Sequence, residues 1–180
     1  PQEGQVLYNQ EDIHKLGFSE FNHWRVNTAF CFENGGLLSN RTLLENIRLP
    51  LVYHKLWNEK ESQQKLDQLV AQFSLEKYLN LRPDYVSVGI RRMAGLVRAF
   101  VQSPQIIFLD EPTSQLGEAQ TKALKTCLEV FRVVNGNATT LVIATQDVAF
   151  VESLGAVRFQ MIDGVCLPHM PETKNKNEAA

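Results

Sequence analysis

Short apolar runs alternate along the chain with longer stretches in which apolar residues recur at helical spacing. Residues 5–8 and 28–32 predict strands, with a short helix over about 19–25 between them. A helix begins at residues 39–47, with Ser39 or Asn40 as its N-cap, and Pro50 ends it. Residues 59–73 carry Leu66, Leu69, Val70 and Phe73 on one stripe, an amphipathic helix, and 89–101 predict another. Ile106, Ile107, Phe108 and Leu109 form a short continuous apolar run, the pattern of a strand buried on both faces inside a parallel sheet. In residues 118–134 one stripe holds Ala123, Leu124, Cys127, Leu128, Phe131 and Val134, and Gly136 suits a left-handed cap. Residues 140–144 predict a second fully apolar strand. Asp163-Gly164 between two apolar runs is a two-residue hairpin signal. Strand–helix–strand alternation makes this an α/β fold, and no internal repeat appears.

At 180 residues the chain suits one globular domain over residues 1–170, followed by a polar tail over 171–180. Eighteen basic residues against twenty acidic ones leave no field that would attract nucleic acid or anionic lipid. No apolar stretch approaches the roughly 18 residues that span a bilayer, and the N-terminal residues are too polar for a secretory signal. Cys31, Cys127 and Cys166 are widely spaced, the pattern of reduced thiols rather than disulfides or metal ligands. His14, His23, His54 and His169 are scattered, Trp24 and Trp57 read as packing residues, and 174–176 is too short for a basic patch.

The chemistry concentrates where the run 106–109 stops. Asp110 and Glu111 follow it directly, then Pro112, Thr113 and Ser114. Ligands of open α/β sheets bind outside the carboxyl ends of the strands. One carboxylate there suits a magnesium ion, and its neighbour can orient or deprotonate an attacking water. A cleft formed with the loops around Ser39 and Gln146 is expected beside the pair.

The segment 106–117 resembles the Walker B and D-loop region of the ATP-binding-cassette (ABC) transporter ATPases, with Gly117 where that family usually has aspartate. Phe30-Cys31-Phe32-Glu33 resembles the Q-loop, with Glu33 at the glutamine position. Residues 42–51 resemble the segment that contacts the transmembrane subunit. Residues 86–100 resemble the signature motif and its helix: Ser87 and Gly89 are retained, while Val88 replaces a glycine and would restrict the backbone and block close phosphate approach. Thr145-Gln146-Asp147 resembles the switch region, with Gln146 in place of histidine, so an amide stands where an imidazolium would carry charge. The 180 residues contain no Gly-x-x-x-x-Gly-Lys-Ser/Thr phosphate loop. Residues 1–8 resemble the strand downstream of that loop, so the chain is expected to be N-terminally truncated.

The resemblance implies a P-loop-like three-layer core with a helical subdomain over about 41–101. It implies ATP and Mg2+ as cofactors, with Asp110 and Glu33 toward the metal. Glu111 would activate water, with Gln146 beside it; Glu33 and Gln146 would sense the γ-phosphate, and Ser87 and Gly89 would reach the nucleotide of an opposing subunit. The implied partners are a transmembrane permease and a second nucleotide-binding subunit, as a homo- or heterodimer on the cytoplasmic face of the membrane. Within the family the chain most resembles the Mce/Mla-type lipid-transport ATPases. Two alternatives follow from the departures: an inactive cassette with a structural or regulatory role, or a non-transport member acting on DNA or ribosomes, against which the segment 43–51 argues.

Overall fold

The computed structural model describes residues 3–55, 59–133 and 139–168. The expected features at Trp57, Val134, Gly136, His169, 174–176 and the polar tail lie outside these. Two compact units follow one another, Pro1–Gln146 and Asp147–Ala180.

The first unit opens with a small antiparallel pair, β1 (Leu7–Tyr8) and β2 (Glu11–Asp12). The strand expected over 5–8 therefore shrinks to two residues and turns back on itself. Asn9 and Gln10 take left-handed angles, φ 48° and 70°, which closes a tight hairpin instead of extending the strand. Helix α1 (Phe18–Val26) leads into β3 (Thr28–Cys31).

β3 pairs in parallel with β4 (Ile106–Asp110), and β4 pairs in parallel with β5 (Thr140–Ala144), giving the order β3-β4-β5. Two expectations change here. β4 is fully covered on one face, through Ile107 and Leu109, while Ile106 and Phe108 on the other are only half-buried. β5 is an edge strand with Thr140, Val142 and Ala144 exposed. Phe30, Phe108 and Val142 lie side by side across the sheet on the open face, with Phe30 46% and Val142 45% exposed. Side chains of a strand alternate between faces, so one covering layer suffices to bury Ala29, Cys31, Ile107 and Leu109.

The α/β architecture is as the pattern predicts. That covering layer includes α4 (Val88–Val101), which packs on β3, and Phe100 of α4 meets Phe131 of α5 (Glu118–Val133) at 4.8 Å between ring centres. α5 buries Leu124, Cys127, Leu128 and Phe131, most of the stripe read from the sequence. Helix α3 (Glu59–Gln72) buries Leu66, Leu69 and Val70, and Phe73 just beyond its end is buried too.

Helix α2 (Leu43–Tyr53) starts later and runs further than expected. Its cap is Thr42, not Ser39 or Asn40. Thr42 Oγ1 accepts from the Glu45 N–H at 3.2 Å and Glu45 Oε2 accepts from the Thr42 N–H at 2.7 Å, a reciprocal box that satisfies two end groups at once. Pro50 sits inside the helix instead of ending it. Its ring angle suits a helix and it forfeits one N–H bond, while the extra turn buries Leu51. Both α2 and α3 pack on α4.

The second unit holds α6 (Val148–Ser153), capped by the Asp147 carboxylate accepting from the Phe150 N–H at 2.9 Å, a helix the pattern did not reveal. The hairpin β6 (Phe159–Ile162) and β7 (Val165–Pro168) turns on Asp163 and Gly164, with φ 47° and 81° as a type I′ turn demands. Among the described residues no helix is long and apolar enough to cross a membrane.

Candidate functional site

β4 carries Asp110 to the end of the sheet, opposite Ala144 of β5. There the chain turns through Glu111, which takes φ 42°, a left-handed conformation that costs a non-glycine residue about 1–2 kcal/mol. Several bonds hold it there. Its N–H donates to the Ala144 carbonyl at 2.8 Å, and its own carbonyl accepts from the Ser114 N–H at 3.1 Å and from Arg92 Nη1 at 3.2 Å. The turn points the Glu111 side chain toward the loop after β5. One carboxylate oxygen accepts from the Thr145 hydroxyl at 2.9 Å and the other from the Gln146 N–H at 3.0 Å. Glu111 and Gln146 are thus brought together, through the backbone of Gln146.

Asp110 is half-buried, and among the described residues its carboxylate has no hydrogen-bond or salt-bridge partner. A carboxylate left unpaired at a sheet rim suits an incoming cation. Glu33, just past β3, turns its carboxylate toward Ser114 Oγ at 3.4 Å and Arg92 Nη2 at 3.8 Å. Its backbone carbonyl accepts from Arg92 Nε at 2.5 Å.

Arg92 is therefore the link that sequence reasoning missed. It is 1% exposed on α4 and its guanidinium bridges the chain after β3 to the chain after β4. A planar fork with five donors can serve two loops at once, which a lysine cannot. The available signal was a basic residue on the apolar face of an amphipathic helix.

Loop 33–39 is also seated on α4. Arg98 donates to the carbonyls of Gly36 at 2.8 Å and Gly35 at 2.9 Å, and burial lowers its pKa. Gly35 takes φ 82°, and a Cβ there would meet the Arg91 carbonyl oxygen at 2.5 Å. A Cβ on Gly95 would meet the Gly35 Cα at 2.7 Å, so two backbones touch with nothing between them. Beneath this loop Cys31 is pushed up to about 11 by burial, against the pull of Arg98 and Arg92, so its thiol stays protonated.

The remaining predicted residues lie elsewhere. Ser87 is exposed and caps α4 through a long 3.4 Å bond from the Ile90 N–H. Gly89 packs against the loop after β4; a Cβ there would come 3.3 Å from the Gln115 carbonyl oxygen. Val88 stands in the first turn of α4, where helical angles accept a β-branched side chain at a small cost in side-chain freedom. The cleft at Ser39 is not lined by Asp110 or Glu111. It measures ≈ 240 Å³, and Asn34, Gly36, Leu37, Pro83, Asp84 and Arg91 line it with Ser39. Buried Asn46 shapes that loop: its side chain accepts from the Leu38 N–H at 2.7 Å and donates to the Leu38 carbonyl at 3.0 Å and the Thr42 carbonyl at 2.9 Å.

This geometry has counterparts. The dimeric structure of MJ0796, a bacterial ABC transporter cassette, superposes with a TM-score of 0.69 at 24% identity, over 84% of this chain and 66% of that one. An ATP-binding subunit of an ABC transporter superposes with a TM-score of 0.74 at 24% identity, over 86% of this chain and 61% of that one. These likenesses show the fold. In sequence, the chain is 31% identical over 165 residues to the lipoprotein-releasing system ATP-binding protein LolD of Syntrophotalea carbinolica, covering 91% of this chain and 71% of that protein. It is 34% identical over 151 residues to the ABC transporter ATP-binding protein YxdL of Bacillus subtilis, covering 82% of this chain and 56% of that protein. The chain spans 71% of that LolD, 56% of YxdL and 43% of the methionine import ATP-binding protein MetN 1 of Oenococcus oeni. Residues 1–114 match the family model described as ABC transporter, and with these relatives beside it the chain belongs to the ABC transporter ATP-binding family.

Proposed function

We propose that this chain works as the nucleotide-handling part of a transporter's ATP-binding subunit, coupling ATP binding and hydrolysis to movement of a cargo by a membrane-embedded permease. The observation that carries the reading is the rim itself, an Asp110 with no partner among the described residues next to a Glu111 held by Thr145 and Gln146. Among the described residues no three metal-ligating side chains cluster. Mg2+ takes one or two carboxylates and completes its shell with phosphate oxygens and water. Asp110 would hold the ion, with Glu33 next to it; the ion would neutralise charge on the phosphates. Each oxygen of Glu111 keeps a lone pair beyond the bonds it accepts, so it can still take a proton from a positioned water. Gln146 orients that carboxylate by its N–H and offers a side-chain amide to the γ-phosphate.

Ser87 and Gly89, at an exposed helix N-terminus, would serve the nucleotide of a second subunit. That reading is supported by the relatives' dimeric cassette structures. The permease would contact the segment over residues 42–51, as the resemblance of that segment implies. The LolD relatives release lipoproteins by name, which supports a lipid or lipid-bearing cargo; Mce/Mla-type phospholipid transport is the narrower form of that proposal. An inactive cassette is the second reading, favoured by Gln146 standing where an imidazole would act. Binding of a fluorescent ATP analogue with and without Mg2+ tests the metal assignment. Asp110→Asn should remove the Mg2+ dependence; an unchanged dependence overturns it. ATP retained by the wild type with no phosphate released would favour the inactive cassette.

A further inference from the structure

Glu33 and Glu111 follow neighbouring strands, and two side chains tie one to the other. Arg92 is the first tie. Its Nε donates to the Glu33 carbonyl at 2.5 Å and its Nη1 to the Glu111 carbonyl at 3.2 Å, while Nη2 lies 3.8 Å from Glu33 Oε1. Ser114 is the second. Its N–H donates to the same Glu111 carbonyl at 3.1 Å and its hydroxyl to the same Glu33 oxygen at 3.4 Å. The four residues close a ring, and Glu111 holds its left-handed φ of 42° inside it.

Charge makes this ring conditional. Arg92 is 1% exposed, whereas the Glu33 side chain is 55% exposed. Among the described residues Glu33 is the ion-pair partner of that guanidinium. Removing one partner from a buried charge leaves the other uncompensated, which is strongly unfavourable. Solutes reach Glu33, and Arg92 cannot leave. When the Glu33 charge is lost, the guanidinium must turn toward other acids. At the strand end whose backbone it already holds, these are Glu111 and Asp110. The Glu111 carbonyl then keeps the Ser114 N–H alone.

We propose that Arg92 is a positioning residue through which the charge of Glu33 governs the posture of Glu111. Coupling between two groups needs a two-state element that both can bias, and here that element is the guanidinium. With Glu33 charged and seated, it stays between the two loops and the Glu111 turn is fixed. With that charge neutralised, it swings toward the rim carboxylates, and the Glu111 carboxylate shifts on Thr145 and Gln146. This control of the rim rests on the nucleotide-handling reading, in which the arriving Mg2+ is the cation that takes up the Glu33 charge. It also gives the carboxylate at residue 33 a task, since a glutamine there would carry no charge to trade.

Nitrogen-15 NMR of the full chain tests this without nucleotide. The Gln146 N–H donates to Glu111 Oε1 at 3.0 Å, so its resonance follows that carboxylate. Glu33→Gln keeps the side-chain shape and removes the charge. It should move the Gln146 N–H resonance by more than a linewidth and shift the Arg92 Nε–H resonance with it. In an Arg92→Lys background, where one ammonium cannot serve both loops, the same substitution should leave Gln146 in place. An unmoved Gln146 resonance in Glu33→Gln overturns the proposal, and so does a shift that persists undiminished with Arg92→Lys. Should Arg92→Lys fail to fold, the Arg92 Nε–H in Glu33→Gln still decides: a guanidinium that keeps its resonance overturns the proposal. Phosphate release separates this from the nucleotide-handling reading. Arg92→Lys should lose turnover by roughly 10–100-fold with ATP affinity unchanged, because a displaced carboxylate is a poor base; equal turnover overturns the proposal. A wild type that holds no ATP strikes the nucleotide-handling reading, while the Gln146 resonance still judges the coupling.

Discussion

The sheet rim and the N-terminus of α4 share one nucleotide chemistry under the proposed function, yet they are built in opposite ways. At the rim, Glu111, Glu33 and the loop after β5 are cross-linked by buried Arg92, by Thr145 and by the Gln146 N–H. At the start of α4, Ser87 is exposed and its cap bond is long. One site is completed by its own chain. The other presents a helix end outward, where a second subunit would meet it under the proposed function. A self-assembled site should lose stability when cut, and an outward-facing one should lose function alone.

Arg92→Ala should have the largest effect on stability. It empties a buried guanidinium, takes the Arg92 donor from the Glu33 carbonyl and leaves the Glu111 carbonyl with the Ser114 N–H alone, so urea unfolding should show a loss of roughly 3–5 kcal/mol. A loss under about 1 kcal/mol would place Arg92 outside the rim's framework. Gly95→Ala comes next. Its Cβ would press on the Gly35 backbone, which must shift, and about 1–3 kcal/mol should be lost. A neutral result there would mean that loop 33–39 is free to move off α4.

Thr42→Ala should cost about 1 kcal/mol by removing the α2 cap. Its partner Glu45 has a lowered pKa, chiefly from the backbone bond to Thr42 and then from the Thr42 hydroxyl. A carboxylate held lower when folded adds stability above its unfolded pKa and loses it as pH falls through the folded one. The stability advantage of wild type over Glu45→Gln should therefore be full at pH 7 and disappear on acidification through that range. Comparing urea midpoints along the pH series checks this, and a constant gap contradicts the capping role. Ser87→Ala should have the smallest effect on the fold, about 0.5 kcal/mol, given so long a cap bond. A cost as large as that of Thr42→Ala would mean this helix end is as tightly built as the cap of α2.

How much of this could be read in advance follows the range of the interactions. Helices α3 and α5 and the Asp163-Gly164 hairpin were legible because periodicity and turn chemistry are local. The placement of Asp110 and Glu111 at the end of a parallel strand was legible because a short apolar run stops at them. Arg92 was not, since its partners lie 59 and 19 residues away and no nearby pattern records them. The contact of Gly35 with Gly95 was hidden for the same reason. Thr42 lost out to Ser39 and Asn40 because several hydroxyl and amide residues crowd that stretch; the Glu three positions after Thr42 was the available discriminator. The open face of Phe30, Phe108 and Val142 also escaped notice, because an apolar run reads alike whether one face or both are covered.

The most direct measurement is phosphate release from Mg-ATP by the protein with Glu111 intact and as Glu111→Gln, with ATP retention followed in parallel. If the rim carboxylate activates water, turnover falls by about 10²-fold or more while ATP is still held. Equal turnover in the two proteins would contradict the account.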